Sequence, residues 1–107
     1  MKRFVINLVS IEFKKENHKI DELVIKGHAN YSDKGKDIVC AAISSIAIYS
    51  INLLEKLGYN INTKVEDGYI KMINDANSDV VDKVFEQMEF EFMELYKQYP
   101  RNIYLKH

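Results

Sequence analysis

The chain has 107 residues, enough for one domain with one core, and at 47% hydrophobic and 29% charged it has the composition of an ordinary globular protein. A formal net charge of −1 removes any bulk electrostatic reason to expect a nucleic-acid or membrane-surface binder. A single cysteine, Cys40, rules out an internal disulfide and a cysteine-based zinc cluster, and fits a reducing compartment.

The N-terminal stretch Phe4 to Val9 alternates as a half-buried strand does. It lacks the long apolar segment and small-residue cleavage site of a secretory leader, so a cytoplasmic location is expected. Lys14 to Lys19 is polar and reads as a turn, and Ile20 to Lys26 is the β-branched returning strand, so the two form a hairpin. The second strand ends at Gly27-His28. Residues 29–36 are rich in turn formers and read as a loop, with Gly35 a candidate hinge.

Asp37 stands directly before an apolar run, where an N-cap belongs. The helix is expected from about Ile38 to Leu57, with Gly58 as its stop. Its apolar residues lie almost all the way round, which places it centrally in the core. It is also the one conceivable membrane span. Ser44, Ser45, Ser50, Asn52, Glu55 and Lys56 interrupt it, and a buried helix of a soluble domain is the better reading.

Asn60 to Val65 reads as a strand, Glu66-Asp67-Gly68 as a turn and Tyr69 to Ile73 as the returning strand. After a polar break, Ser78 is placed to cap a helix from Asp79 to Gln98. Val81, Val84, Phe85, Met88, Phe92 and Leu95 recur at helical spacing along it and form a core or dimer stripe. Pro100 ends that helix, and Asn102 to Leu105 can form a last strand. The order β-β-α-β-β-α-β predicts a single-domain α+β sandwich over residues 1–107. Two helices should pack on one face of a mixed or antiparallel sheet.

The chemistry concentrates between residues 27 and 44. His28 ends a strand, and Cys40 falls in the first turn of the next helix. With Asp37 as N-cap, Cys40 is the third helical residue. There the helix dipole and open N–H groups would favour a thiolate, and a neighbouring imidazolium would favour it further. Such a pair suits acyl transfer, in which sulfur attacks a carbonyl carbon, histidine protonates the leaving amine and N–H groups hold the oxyanion. The plainer readings stand beside this one: Cys40 as a small core residue, His28 as a surface residue at a strand end. Asp37 can cap the helix or orient the imidazole. Asp33 fits a turn, and Ser44 lies one helical turn after Cys40 on its face. His18 and His107 make no metal-ligand constellation with His28, and no phosphate loop is present.

Gly27-His28-Ala29 followed by Asp37-Ile38-Val39-Cys40-Ala41-Ala42-Ile43-Ser44 resembles the signature of the ribosomal-processing cysteine protease (Prp) family. The resemblance implies a catalytic Cys40 and His28, with Asp37 the acidic residue of the same motif. It further implies a cytoplasmic, homodimeric endopeptidase without metal or cofactor. Its substrate would be the precursor of large-subunit ribosomal protein number twenty-seven, from which it removes an N-terminal extension, and the loop between histidine and cysteine would move on binding. No direct nucleic-acid or membrane contact is expected. The alternative is a dimeric binding module that engages ribosomal precursors without cutting them.

Overall fold

The computed structural model describes residues 8–27 and 34–107, with side chains from residue 38 onward in the second stretch. In chain order the elements are β1 (Val9–Glu16), β2 (Lys19–Lys26), α1 (Lys34–Lys56), β3 (Asn62–Glu66), β4 (Tyr69–Ile73), α2 (Asp79–Gln98) and β5 (Ile103–Lys106). The strands form one sheet in the order β3-β4-β2-β1-β5. All pairings are antiparallel except β1 with β5, which is parallel, so the sheet is mixed. The expected element order and one-sided packing are both observed.

Side-chain alternation decides which face of the sheet is covered. Val9, Ile11 and Phe13 of β1, Leu23 and Ile25 of β2, Ile70 and Met72 of β4 and Ile103 of β5 are all buried. They share one core with Val39, Ile43, Ala47, Ile51 and Leu54 of α1 and with Val81, Phe85, Met88 and Phe92 of α2. Phe13 and Phe92 join sheet to helix, their tilted rings 6.1 Å apart between centroids. Burial of a side chain of that size contributes about 1.5–3 kcal/mol.

The first hairpin differs from the expectation in its turn. Lys14, Lys15 and Glu16 belong to β1, and the turn is only Asn17-His18. Both turn residues have positive φ, 54° and 66°, the backbone of a type I′ turn, which asparagine tolerates well. The charged residues remain in the strand because their end of β1 carries exposed side chains, so charge there did not mean a turn. The register shifts between Lys14 and Lys15, where Lys14 faces Glu22 and Lys15 faces Ile20. At the other end β1 begins at Val9. The expected strand over Phe4 to Asn7 lies outside the described residues.

The helix ends follow local chemistry. Ser78 caps α2 by accepting from the Val80 N–H at 3.1 Å, as its position predicted. Past α1, the Gly58 N–H donates to the Glu55 carbonyl at 3.0 Å and the Tyr59 N–H to the Leu54 carbonyl at 2.8 Å. These two bonds make a Schellman motif, which Gly58 permits through its φ of +94°. Asn74 ties three elements together. Its amide nitrogen donates to the Ile20 carbonyl and to the Asp82 carboxylate, both at 2.9 Å.

α1 is less enclosed than its composition suggested. From Ile38 to Lys56 it is long and apolar enough to cross a membrane by length and composition alone. One stripe packs into the core, yet Ile38 and Tyr49 are exposed, and Ile46, Ile48 and Leu53 are only partly covered. The single layer of sheet and α2 leaves the remaining circumference of α1 uncovered.

Candidate active site

α1 starts at Lys34, four residues before the position expected from sequence. Lys34, Gly35 and Lys36, expected in the loop, form its first turn. A first turn has four N–H groups without helical partners in any case, so a glycine there costs little and leaves no stripe to read. Asp37 is consequently inside the first turn and is not the N-cap.

The earlier start also moves Cys40. It is the seventh helical residue, in the second turn, and its amide falls inside the i→i−4 ladder. The expectation of open N–H groups at Cys40 is therefore corrected. Those groups belong to residues 34–37, and the dipole effect fades beyond the first turn. Cys40 is 8% exposed and sits beside Val39 and Ile43, which are both fully buried. These two residues fix the rotation of the turn that carries the sulfur. Ser44, half-buried, follows one turn later on the same face.

The strand side of the site is set by β2, which ends at Lys26, followed by Gly27. His28 and Asp33 lie outside the described residues, as do residues 29–33 of the loop expected over 29–36, and the side chain of Asp37 is likewise not described. The fold brings the end of β2 and the start of α1 into direct chain succession, with 28–33 between them. Among the described residues, no group of three or more His, Cys, Asp and Glu side chains converges to hold a metal ion.

One strongly connected carboxylate lies elsewhere. Glu89 of α2 receives Lys15 Nζ at 2.8 Å and pairs with His107 Nδ1 at 2.8 Å. Burial works to raise the Glu89 carboxyl, but the hydrogen bonds and charges of Lys15 and His107 outweigh it and hold the group below its usual value. This cluster anchors the end of β5 to α2 and β1.

Sequence reasoning missed a groove between the two helices. It has a volume of about 610 Å³ and is lined mainly by Ile46, Tyr49 and Leu53 of α1 and Val80, Val84 and Met88 of α2. The signal was present as apolar residues on α1 outside the core stripe, but their exposure depends on which neighbours the fold supplies.

A one-layer mixed sheet, covered on one face by two helices, carries the only cysteine of the chain in the second turn of the longer helix. That is the frame of a small α+β domain with a single thiol. The profile of the family described as Cysteine protease Prp matches residues 8–104. The ribosomal processing cysteine protease Prp of Mycoplasma genitalium is 35% identical over 83 residues, covering 76% of this chain and 82% of that protein. The fold agrees with the essential ribosomal processing protease Prp of Staphylococcus aureus in complex with a substrate peptide. The TM-score is 0.85 at 22% identity, over 92% of this chain and 98% of that one. A second structure of the staphylococcal protease, with a covalently linked product peptide, gives a TM-score of 0.80 at 23% identity, with the same coverage of 92% and 98%. This chain belongs to the cysteine protease Prp family, and it is a cysteine-type peptidase.

Proposed function

We propose that this peptidase removes the N-terminal extension of the precursor of large-subunit ribosomal protein number twenty-seven during ribosome assembly. The observation that carries the reading is the family match over residues 8–104 together with the ribosomal-processing role in the name of the mycoplasmal relative. Cys40 is the nucleophile, His28 the general base and acid, and Asp37 a supporting carboxylate. The Cys40 thiolate attacks the scissile carbonyl carbon to give a tetrahedral oxyanion. His28 then protonates the departing amine as the C–N bond breaks, leaving a thioester. Water, deprotonated by the same imidazole, attacks the thioester and releases the extension as a carboxylate, returning the proton to the Cys40–His28 pair. The cytoplasm, where thiols stay reduced, is the location that suits this chemistry.

The working unit in this reading is a homodimer joined through the α1–α2 groove. Lys83, Gln87 and Glu91 follow one another at four-residue steps along the α2 wall, with Gln87 donating to Glu91 at 2.8 Å. A two-fold axis through Gln87 would set Lys83 of each copy against Glu91 of the other, so the charges on this apolar face complement themselves. Exposed Tyr49 and half-exposed Val80 supply the apolar area.

Two measurements test the peptidase assignment. Cys40→Ala and Cys40→Ser should abolish cleavage of a synthetic peptide spanning the extension boundary while the fold stays intact; full cleavage by the alanine variant would falsify the assignment. Iodoacetamide alkylation against pH should give an apparent pKa below that of an ordinary cysteine, about 8.5. For the dimer, Lys83→Glu should shift sedimentation toward monomer and Lys83→Glu/Glu91→Lys should restore it. A wild-type monomer at micromolar concentration would refute that part.

A further inference from the structure

Gly27 is where β2 hands the chain to the segment bearing His28, and three backbone features meet there. Its φ is +88°, in the region that favours glycine. Its N–H donates to the Gly68 carbonyl at 3.1 Å, at the tip of the β3–β4 hairpin. On another side, a Cβ built at Gly27 would lie 2.8 Å from the carbonyl oxygen of Leu8, the residue leading into β1. Neighbouring pairings hold both flanks in register, with Lys26 opposite Ser10 of β1 and opposite Tyr69 of β4.

We infer that Gly27 is a positioning residue, clasped between the Leu8 and Gly68 carbonyls so that the end of β2, one residue before His28 in the chain, is held in place. The inference rests on the reading of His28 as the catalytic base. Leu8 and Gly68 come from parts of the sequence far from the His28–Cys40 motif, so the clasp ties the β3–β4 hairpin tip to the residue that immediately precedes the histidine in the chain. A side chain at position 27 meets a backbone oxygen, which cannot rotate away as a side-chain end can. The Gly27 peptide must turn or move instead, and everything that starts from it moves too. A displacement of about 1 Å at a reacting group is enough for about a 100-fold loss of rate.

Gly58 supplies a matched control. Its φ of +94° imposes similar strain on any substituent, but a Cβ there meets nothing within 4 Å, and it lies past the far end of α1. Gly27→Ala should lower kcat on the extension-boundary peptide about 100-fold with little change in KM. It should also move the Cys40 alkylation profile toward that of an ordinary thiol. Gly58→Ala should lose stability in urea through its φ alone, yet keep the wild-type kcat and alkylation profile. Should Gly27→Ala fold poorly, inserting two glycines between Asp67 and Gly68 displaces the acceptor carbonyl from an exposed hairpin tip instead. That variant should reproduce the kcat loss and the alkylation shift. Wild-type kcat and alkylation in folded Gly27→Ala, or in the insertion variant, would overturn the clasp while leaving the peptidase assignment standing. Failure of the peptidase assignment has a different signature: cleavage that survives Cys40→Ala.

Discussion

The turn that carries Cys40 is held by core packing, and Ile43 is the residue through which to test this. It is fully buried, three residues past Cys40, whereas Ile38, two residues before Cys40, is 59% exposed. Replacing each with alanine removes the same atoms from the same helix in opposite environments. Ile43→Ala loses the transfer free energy of the buried methyl and methylene groups and leaves a cavity, together about 2–5 kcal/mol. Ile38→Ala should stay within about 0.5 kcal/mol. A domain of this size has a total stability of about 5–15 kcal/mol, so Ile43→Ala takes a large share while leaving most molecules folded at 25 °C. With a urea slope of about 1.5 kcal/mol per molar, a loss of about 3 kcal/mol lowers the unfolding midpoint by about 2 M. The assay is urea unfolding followed by circular dichroism at fixed protomer concentration, because association would otherwise shift the midpoint. The gentler Ile43→Val, costing about 0.5–1.5 kcal/mol, should preserve peptide cleavage. Equal midpoint shifts for Ile43→Ala and Ile38→Ala would refute the account of α1 packing.

Two further perturbations follow from the helix ends and the partly buried carboxylate. Ser78→Ala should remove the α2 cap and cost about 1 kcal/mol, read as a melting temperature lower by roughly 4–8 °C. A melting point unchanged to within a degree would contradict the cap. Glu89 sits below its usual value of 4.5, so its contribution to stability is complete above that value and is lost as pH falls through the lower, folded-state value. Glu89→Gln should therefore be less stable than wild type at pH 7, with the difference shrinking on acidification below the ordinary glutamate range. A difference independent of pH down to 3 would argue against the Lys15–Glu89–His107 cluster.

The parts legible in the sequence are those whose signals are local. The span of α2 follows from Ser78, the apolar stripe and Pro100, and the span of β4 from its alternation after Asp-Gly. The start of α1 was not legible, because its first turn includes Lys34, Gly35 and Lys36, which carry no apolar periodicity in sequence and resemble a loop. The same error misplaced Asp37 as a cap and put Cys40 one turn too early. Lys14 to Glu16 misled in the opposite direction: an exposed strand end carries charge as readily as a turn does. For the site, the motif from Gly27 to Ser44 was legible as residue types at a spacing. The approach of the Leu8 and Gly68 backbones to Gly27 was not, because it arises from pairings made across the whole sheet. The groove was hidden for a similar reason, since α1 looks fully buried until the number of layers around it is known.

The parallel ladder between β1 and β5 pairs Val9 with Ile103, and the Val9 N–H also donates to the Asn102 carbonyl at 2.9 Å. The two hairpins can form from near neighbours, but this ladder closes nearly the longest loop the chain offers. Loop-closure entropy consequently makes its expected place late in folding. Until it closes, β1 is an open sheet edge with Val9, Ile11 and Phe13 along one side, the kind of surface that recruits strands from other chains. Synthesis from the N-terminus prolongs that interval, since β5 is made after the other described elements. A chain stopped short of residue 103 would keep both hairpins and both helices, and its expected fate is association through β1 rather than simple loss of one short strand.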